Sequence, residues 1–183
     1  MPGAKLDENK ILYRLRTAPN PDDFGVLYDT YVKQIYRFVY FKVGGHEEAE
    51  DIASEVFLKA WHYIQAKKEV KSFRGLLYSI ARNCVIDLYR ARALRPEVLM
   101  GEEIEASDAG NWEKEFQNKD ESQAVLTALK KLKQEYKEVI TLRYIEELEI
   151  HEIAGIIGKS RVGVRVTLHR AIKKLEEMLG RQI

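Results

Sequence analysis

Between residues 161 and 173, four permanent cations and a histidine alternate with small apolar side chains: Arg161, Val162, Arg165, Val166, His169, Arg170 and Lys173. Wound at 3.6 residues per turn, Val162, Gly163, Val166, Arg170 and Lys173 fall opposite Val164, Leu168, Ala171, Ile172 and Leu175, with Thr167 and His169 at the margins. Such an outer face can address the edges of duplex bases. Valine methyls touch thymine, arginine bridges guanine, and lysine pairs with phosphate. A helix used this way needs a support. Ile150, Ile153, Ala154 and Ile157 recur at helical spacing just upstream. Gly158 can adopt the left-handed conformation that ends that helix, and Ser160 can cap the next. The stretch reads as a helix-turn-helix. An ordinary helical hairpin with a solvated basic face is the alternative for this segment alone.

Two further groupings carry chemistry. A basic loop over residues 65–72 and the helix after it hold Lys67, Lys68, Lys71, Arg74, Arg82, Arg90 and Arg92, with Tyr78 and Asn83 interleaved. Cations of this kind hold the phosphates of a separated strand, while an aromatic or an amide engages its bases. A loop pocket can also catch a base that has left the stack. Upstream, Asp51 and Glu55 lie one turn apart near Glu47 and Glu48, on the face of a helix opposite Ile52, Val56 and Phe57. Such an acidic face can dock on a basic helical surface; a merely solvated face is the alternative.

Catalytic machinery is not legible. His46, His62, His151 and His169 are scattered and pair with no Ser or Cys nucleophile. No glycine loop followed by Lys-Ser/Thr is present, and His151-Glu152 lacks the second His of a zinc-protease helix. Cys84 is the single cysteine, so neither an internal disulfide nor a cysteine-cluster zinc site can form. We expect no enzyme, no metal site and no cofactor.

The elements needed to position these groups are all helical. Phe24 to Val39, Ala49 to Trp61 and Phe73 to Leu88 each show one apolar face, and three such helices can bury a common core. Asp22 or Asp23 can cap the first, and Gly44-Gly45 ends it. Residues 1–22 read as a polar N-terminal extension with one apolar patch, Ile11, Leu12 and Leu15, enough for a helical turn. Val125, Leu126, Leu129 and Leu132 mark another helix, and Tyr136, Val139, Ile140, Leu142 and Arg143 a further one. Fold class is therefore all-α: two small helical domains joined by an acidic linker, the second a helix-turn-helix. The boundaries fall at 1–22, 23–94, 95–121 and 122–183.

Charge is segregated along the chain. Between Ala93 and Glu121 nine acids face three bases, a net −6 that leaves +7 on the remainder of a chain whose formal total is +1. A near-neutral total is thus compatible with a nucleic-acid partner. No apolar run is long enough to span a bilayer, and residues 1–9 lack the apolar core of a signal peptide, so a cytoplasmic location without membrane insertion is the default.

Three segments in this order carry a resemblance. Asp51, Glu55, Phe57 and Trp61 match the pattern Asp-x-x-Gln-Glu-x-Phe-x-x-x-Trp, with Ser54 in place of Gln. Leu77, Ile80, Ala81, Asn83 and Asp87 match Trp-Leu-x-x-Ile-Ala-x-Asn-x-x-x-Asp, with Leu76 in place of Trp. Tyr136 to Tyr144, continuing to Leu168 and Ala171, matches a C-terminal DNA-binding domain, with Arg161-Val162-Gly163 where Glu-Gly-Thr is common. Together they resemble bacterial sigma factors of the extracytoplasmic-function type. The resemblance implies a protein that binds core RNA polymerase, directs it to promoters and helps melt the duplex. It implies that Asp51, Glu55, Phe57 and Lys59 meet the clamp helices of the largest polymerase subunit. It assigns Lys67, Lys68, Lys71, Arg74, Tyr78, Arg82 and Asn83 to the −10 element. It assigns Arg161, Val162, Arg165, Val166, His169, Arg170 and Lys173 to the −35 element. A contact with the polymerase flap region, a linker running through the polymerase channels and an anti-sigma factor are implied as well. On the residues alone, a stand-alone helix-turn-helix repressor is the runner-up, and an adaptor that binds only protein is the third reading.

Overall fold

The computed structural model describes residues 7–94 and 120–180, which fall into two compact units. Every regular element among the described residues is helical. The acidic linker expected over residues 95–121 lies outside them except for its last two residues, which belong to a helix.

The first unit holds α1 (Glu8–Thr17), α2 (Pro21–Val43), α3 (His46–Gln65) and α4 (Phe73–Ala93). Leu27, Ile35, Phe38, Val56, Ile64, Phe73 and Leu77 are wholly buried between α2, α3 and α4. Aromatic rings stitch the three together. Phe24 of α2 meets Trp61 of α3 edge-on at 5.0 Å and Phe73 of α4 at 6.2 Å, and Tyr28 meets Phe57 at 4.7 Å. Such edge-to-face pairs add to the burial of the rings themselves.

Local sequence explains the ends of these helices. Asn20, rather than Asp22 or Asp23, caps α2, its side chain accepting from the Asp22 N–H at 2.9 Å. Pro21 at the first helical position needs no such partner and presets the helical φ. Asp23 instead holds Arg14 of α1 through two hydrogen bonds, 2.6 and 2.9 Å. That pairing keeps the Asp23 carboxyl below the usual carboxylate range. Gly44 closes α2 at φ 83°, a conformation glycine adopts without penalty. Gly45 then starts α3, so the α2–α3 connection is almost as short as a chain reversal allows.

The apolar patch Ile11, Leu12 and Leu15 forms more than a turn. It lies on a ten-residue helix, capped by Asp7, and buries all three side chains. A helix this short is marginal in isolation. Its burial against α2 and α3 holds it, which three apolar residues in a polar stretch signal only weakly.

The second unit holds α5 (Asp120–Lys131), α6 (Gln134–Ile140), a π turn (Thr141–Ile145) that continues α6, α7 (Ile150–Ile157) and α8 (Arg161–Leu179). Val139, Leu142, Leu148, Ile153, Val164 and Ala171 are wholly buried and form its core. α8 packs on α5, α6 and α7, so this one helix both seals the core and turns its far side outward. Thr167, expected at the margin of that outer side, is buried. No described helix is long and apolar enough to cross a membrane.

Candidate nucleic-acid and polymerase interfaces

In the second unit, Gly158 at φ 69° ends α7 and Ser160 begins α8, its hydroxyl accepting from the Gly163 N–H at 3.0 Å. A Cβ at position 163 would lie only 3.2 Å from that hydroxyl oxygen, so glycine there leaves room for the cap. Arg143, aimed by the π turn, donates to the Leu148 carbonyl at 2.9 Å and pairs with Glu149 at 3.2 Å. The Glu149 N–H in turn donates to Glu152 at 2.8 Å, half of a capping box at the start of α7. Lys159 in the turn pairs with Glu135 of α6. The two helices of the motif are thus tied to the rest of the unit at two points, through Arg143 and through Glu135.

On α8 all seven side chains singled out from the sequence are exposed: Arg161, Val162, Arg165, Val166, His169, Arg170 and Lys173. Val162, Val166, His169 and Lys173 follow i, i+4, i+7 and i+11, one continuous stripe, with arginines beside it. Val162 is 66% and Val166 43% exposed. No acidic residue interrupts positions 161–175. Apolar methyls held open between cations have little to gain from water and much from a groove that offers methyls and phosphates together.

In the first unit, the loop between α3 and α4 exposes Lys67, Lys68 and Lys71. Lys67 takes φ 57°, which turns the chain sharply there. The Lys68 ammonium stands 5.1 Å over the Tyr63 ring, a cation–π contact that steadies it. Asn83 is exposed on α4 and Arg74 and Arg82 are half-buried. Asn83 lies ten residues beyond Phe73, about 15 Å along the helix at 1.5 Å per residue. The loop and Asn83 therefore lie along an extended surface of the unit.

Two expected contacts are corrected by burial. Tyr78 is 0% exposed, its ring edge-on to Phe38 of α2 at 5.1 Å. It follows the same side of α4 as Val85, seven residues on, and cannot stack on a base. Phe57 is 3% exposed and packs on Tyr28 and Phe24. It supports α3 from inside and offers nothing to a partner.

The outer face of α3 presents Asp51, Glu55 and Lys59, all exposed. Glu55 and Lys59 pair at 2.7 Å, and the Glu55 carboxylate holds the Lys59 ammonium above its usual range. Lys59 also donates to the Cys84 sulfur at 3.4 Å, where burial pushes the thiol up. Glu48, read with this face, is instead drawn to Arg92 of α4 at 2.5 Å. Leu58 was missed by sequence reasoning. It is 57% exposed and shares the face with Asp51 and Glu55, seven and three residues before it. An apolar residue at an outer position of an amphipathic helix was the available signal. Among the described residues no cluster of His, Cys, Asp and Glu is placed to hold a metal ion.

A helical unit with an acidic outer helix and a basic loop, and a second unit built on a helix-turn-helix, form the arrangement expected of a transcription initiation protein. The comparisons with known proteins agree. Residues 27–95 match the description of Sigma-70 region 2, and residues 122–175 that of Sigma-70, region 4. The ECF RNA polymerase sigma factor BldN of Streptomyces coelicolor is 32% identical over 182 residues, covering 97% of this chain and 69% of that protein. SigW of Bacillus subtilis, also an ECF RNA polymerase sigma factor, is 30% identical over 169 residues, covering 86% and 89%. Among solved structures, CnrH in complex with the cytosolic domain of CnrY superposes with a TM-score of 0.71 at 25% identity, over 97% of this chain and all of that one. The chain belongs to the extracytoplasmic-function sigma factors. It acts with core RNA polymerase on promoter DNA.

Proposed function

We propose a division of labour among the faces just described. α8 reads the −35 element with Arg161, Val162, Arg165, Val166, His169, Arg170 and Lys173. The α3–α4 loop and α4 engage the −10 element with Lys67, Lys68, Lys71, Arg74, Arg82 and Asn83. Asp51, Glu55 and Lys59 on α3, with Leu58 beside them, dock on the clamp helices of the polymerase largest subunit. Residues 23–94 and 122–183 are the two working domains, 1–22 an extension and 95–121 the acidic linker that follows the polymerase channels, with the flap region as a further contact. The observation that carries this reading is the stripe on α8: exposed valines set between cations on a helix tied down at its start and along its inner side.

The protein is a specificity subunit without chemistry of its own, acting in the cytoplasm. An anti-sigma factor completes the proposal. CnrH, the structural relative above, was solved with the cytosolic domain of CnrY bound. Weak promoter binding by the free chain fits the same scheme, because each domain offers only a small DNA surface and core polymerase supplies the register between them.

The test concerns strand capture. Asn83→Ala, or removal of two lysines from the 67–71 loop, should slow open-complex formation on duplex promoters about tenfold, the loss expected for one base contact. Affinity for core polymerase should stay that of the parent. A template with a premelted −10 bubble should rescue only part of the rate, since capture as well as separation is impaired. Permanganate reactivity of unpaired thymines reads the opening, and parental kinetics in both variants would remove the −10 assignment.

A further inference from the structure

The proposed −10 loop ends at Ser72, where α4 begins, and the first turn of α4 holds two hydrogen bonds of different origin. Ser72 itself accepts from the Gly75 N–H at 3.0 Å. The Phe73 N–H, one residue after the loop, donates to Glu8 Oε1 at 3.2 Å, a partner 65 residues away on α1. The other carboxylate oxygen, Oε2, accepts from the Tyr31 hydroxyl of α2 at 2.5 Å. Tyr31 closes the triangle, its ring edge-on to Phe73 with centroids 5.8 Å apart. One carboxylate thus joins α1, α2 and the start of α4.

Phe73 is wholly buried and Glu8 half-buried, so losing Glu8 leaves the Phe73 N–H with water at best in place of a charged acceptor. A buried N–H left alone costs more than the bond was worth. A carboxylate at the N-terminus of a helix also meets the positive end of the helix dipole. Without Glu8 the first turn of α4 keeps the Ser72 cap but loses its tie to α1 and α2, so the loop that joins it at Ser72 is held less firmly. Residues 1–26 lie before the match to region 2, so this restraint comes from a part of the chain that the region does not contain.

We propose that Glu8 is a positioning residue for strand capture, fixing the α3–α4 loop by holding the Phe73 N–H and the Tyr31 hydroxyl at once. The inference rests on the −10 reading of that loop. It makes α1 part of the promoter-opening apparatus, although α1 itself offers no cation to DNA in this scheme.

The experiment compares Glu8→Ala, Glu8→Gln and Arg14→Ala with the parent, each as holoenzyme with core polymerase. The readouts are fluorescence of 2-aminopurine placed in the −10 element, core affinity and thermal melting. Glu8→Ala should open the promoter about tenfold more slowly, the scale of a lost hydrogen bond to a charged group, with core affinity unchanged. Glu8→Gln should keep most of the rate, because its amide oxygen can accept from Phe73 while its amide nitrogen donates to the Tyr31 oxygen. Arg14→Ala removes an exposed pair with Asp23 six residues along α1, which costs little stability, and leaves Glu8 and its partners in place, so it should lower the melting temperature slightly without slowing opening. If Glu8→Ala opens at the parental rate, or if Arg14→Ala slows opening as much, α1 is a structural helix only and the inference fails. The shortened 67–71 loop run alongside separates this from the underlying reading. A slow loop variant beside a normal Glu8→Ala overturns the role of Glu8 alone. A normal loop variant overturns both.

Discussion

Reversing Asp51 and Glu55 to Lys is expected to abolish stable binding to core polymerase while leaving the fold nearly unchanged. Both side chains stand exposed on α3, opposite wholly buried Val56 and nearly buried Ile52 and Phe57, so substitution opens no cavity. Like charges brought together across an interface cost several kcal/mol, which corresponds to an affinity loss of about a hundredfold or more. The cost to stability is small by comparison. Glu55→Lys removes one half-exposed i,i+4 pair with Lys59, worth about 0.3–0.5 kcal/mol, and sets two like charges at the same spacing, a penalty of similar size. Titration of labelled protein with core enzyme, beside thermal melts, separates the two effects. Parental affinity in the double variant would mean that the acidic face is only solvated and that docking uses another surface.

The second large effect is expected on α8. Arg170→Ala should weaken discrimination at the −35 element by about 1–3 kcal/mol, the worth of a good bidentate base contact. Changes at Val166 and His169 should alter which base is preferred rather than lower affinity uniformly, because a methyl or an imidazole contact is specific to the base it meets. Lys173→Ala should behave differently. Its contact is with phosphate, so binding should weaken for all sequences, and the dependence on salt should become shallower by about one unit of slope. Selection from promoters randomised over the −35 element, with each variant as holoenzyme, measures the first group, and a salt titration the last. Unchanged selection by a variant altered at Val166, His169 and Arg170 together would show that this face of α8 points away from DNA.

The helices were legible because their apolar residues recur with the period of the helix and their ends carry capping chemistry. Gly158 and Ser160 punctuate α7 and α8 as their types predict, and Gly44 ends α2. Exposure of the α8 stripe was legible for the same reason: a helix with one wholly apolar side has only one side left to offer. What escaped was decided by neighbours distant in sequence. Tyr78 looked like a stacking ring among cations because tyrosine is common in both places, and only Phe38 across the core identifies it as packing. Phe57 differs: helical spacing already set it opposite Asp51 and Glu55, only the motif drew it into the docking set, and its packing on Tyr28 and Phe24 follows the spacing. α1 escaped because its three apolar residues are too few to signal a helix, and Glu8 because a carboxylate in a polar segment carries no sign of a partner 65 positions ahead.

The π turn at Thr141–Ile145 bears on how this part of the chain tolerates change in length. A π turn is a helical turn that has taken in one extra residue while its flanks keep their own hydrogen bonds. Here the Glu146 N–H reaches back five residues to the Thr141 carbonyl at 2.9 Å, and the Leu148 N–H reaches Leu142 at 2.9 Å. Removal of a single residue inside the turn would let it relax to ordinary helical winding, with Val139 before it and Leu148 after it still able to reach the core. Elsewhere in α6, α7 or α8 the same deletion would rotate every later side chain by about 100° and turn a buried row outward. Within the helices of this unit the π turn is thus a place where the loss of a single residue can be absorbed, and Arg143, which rides on that turn, is the residue whose aim the loss would alter.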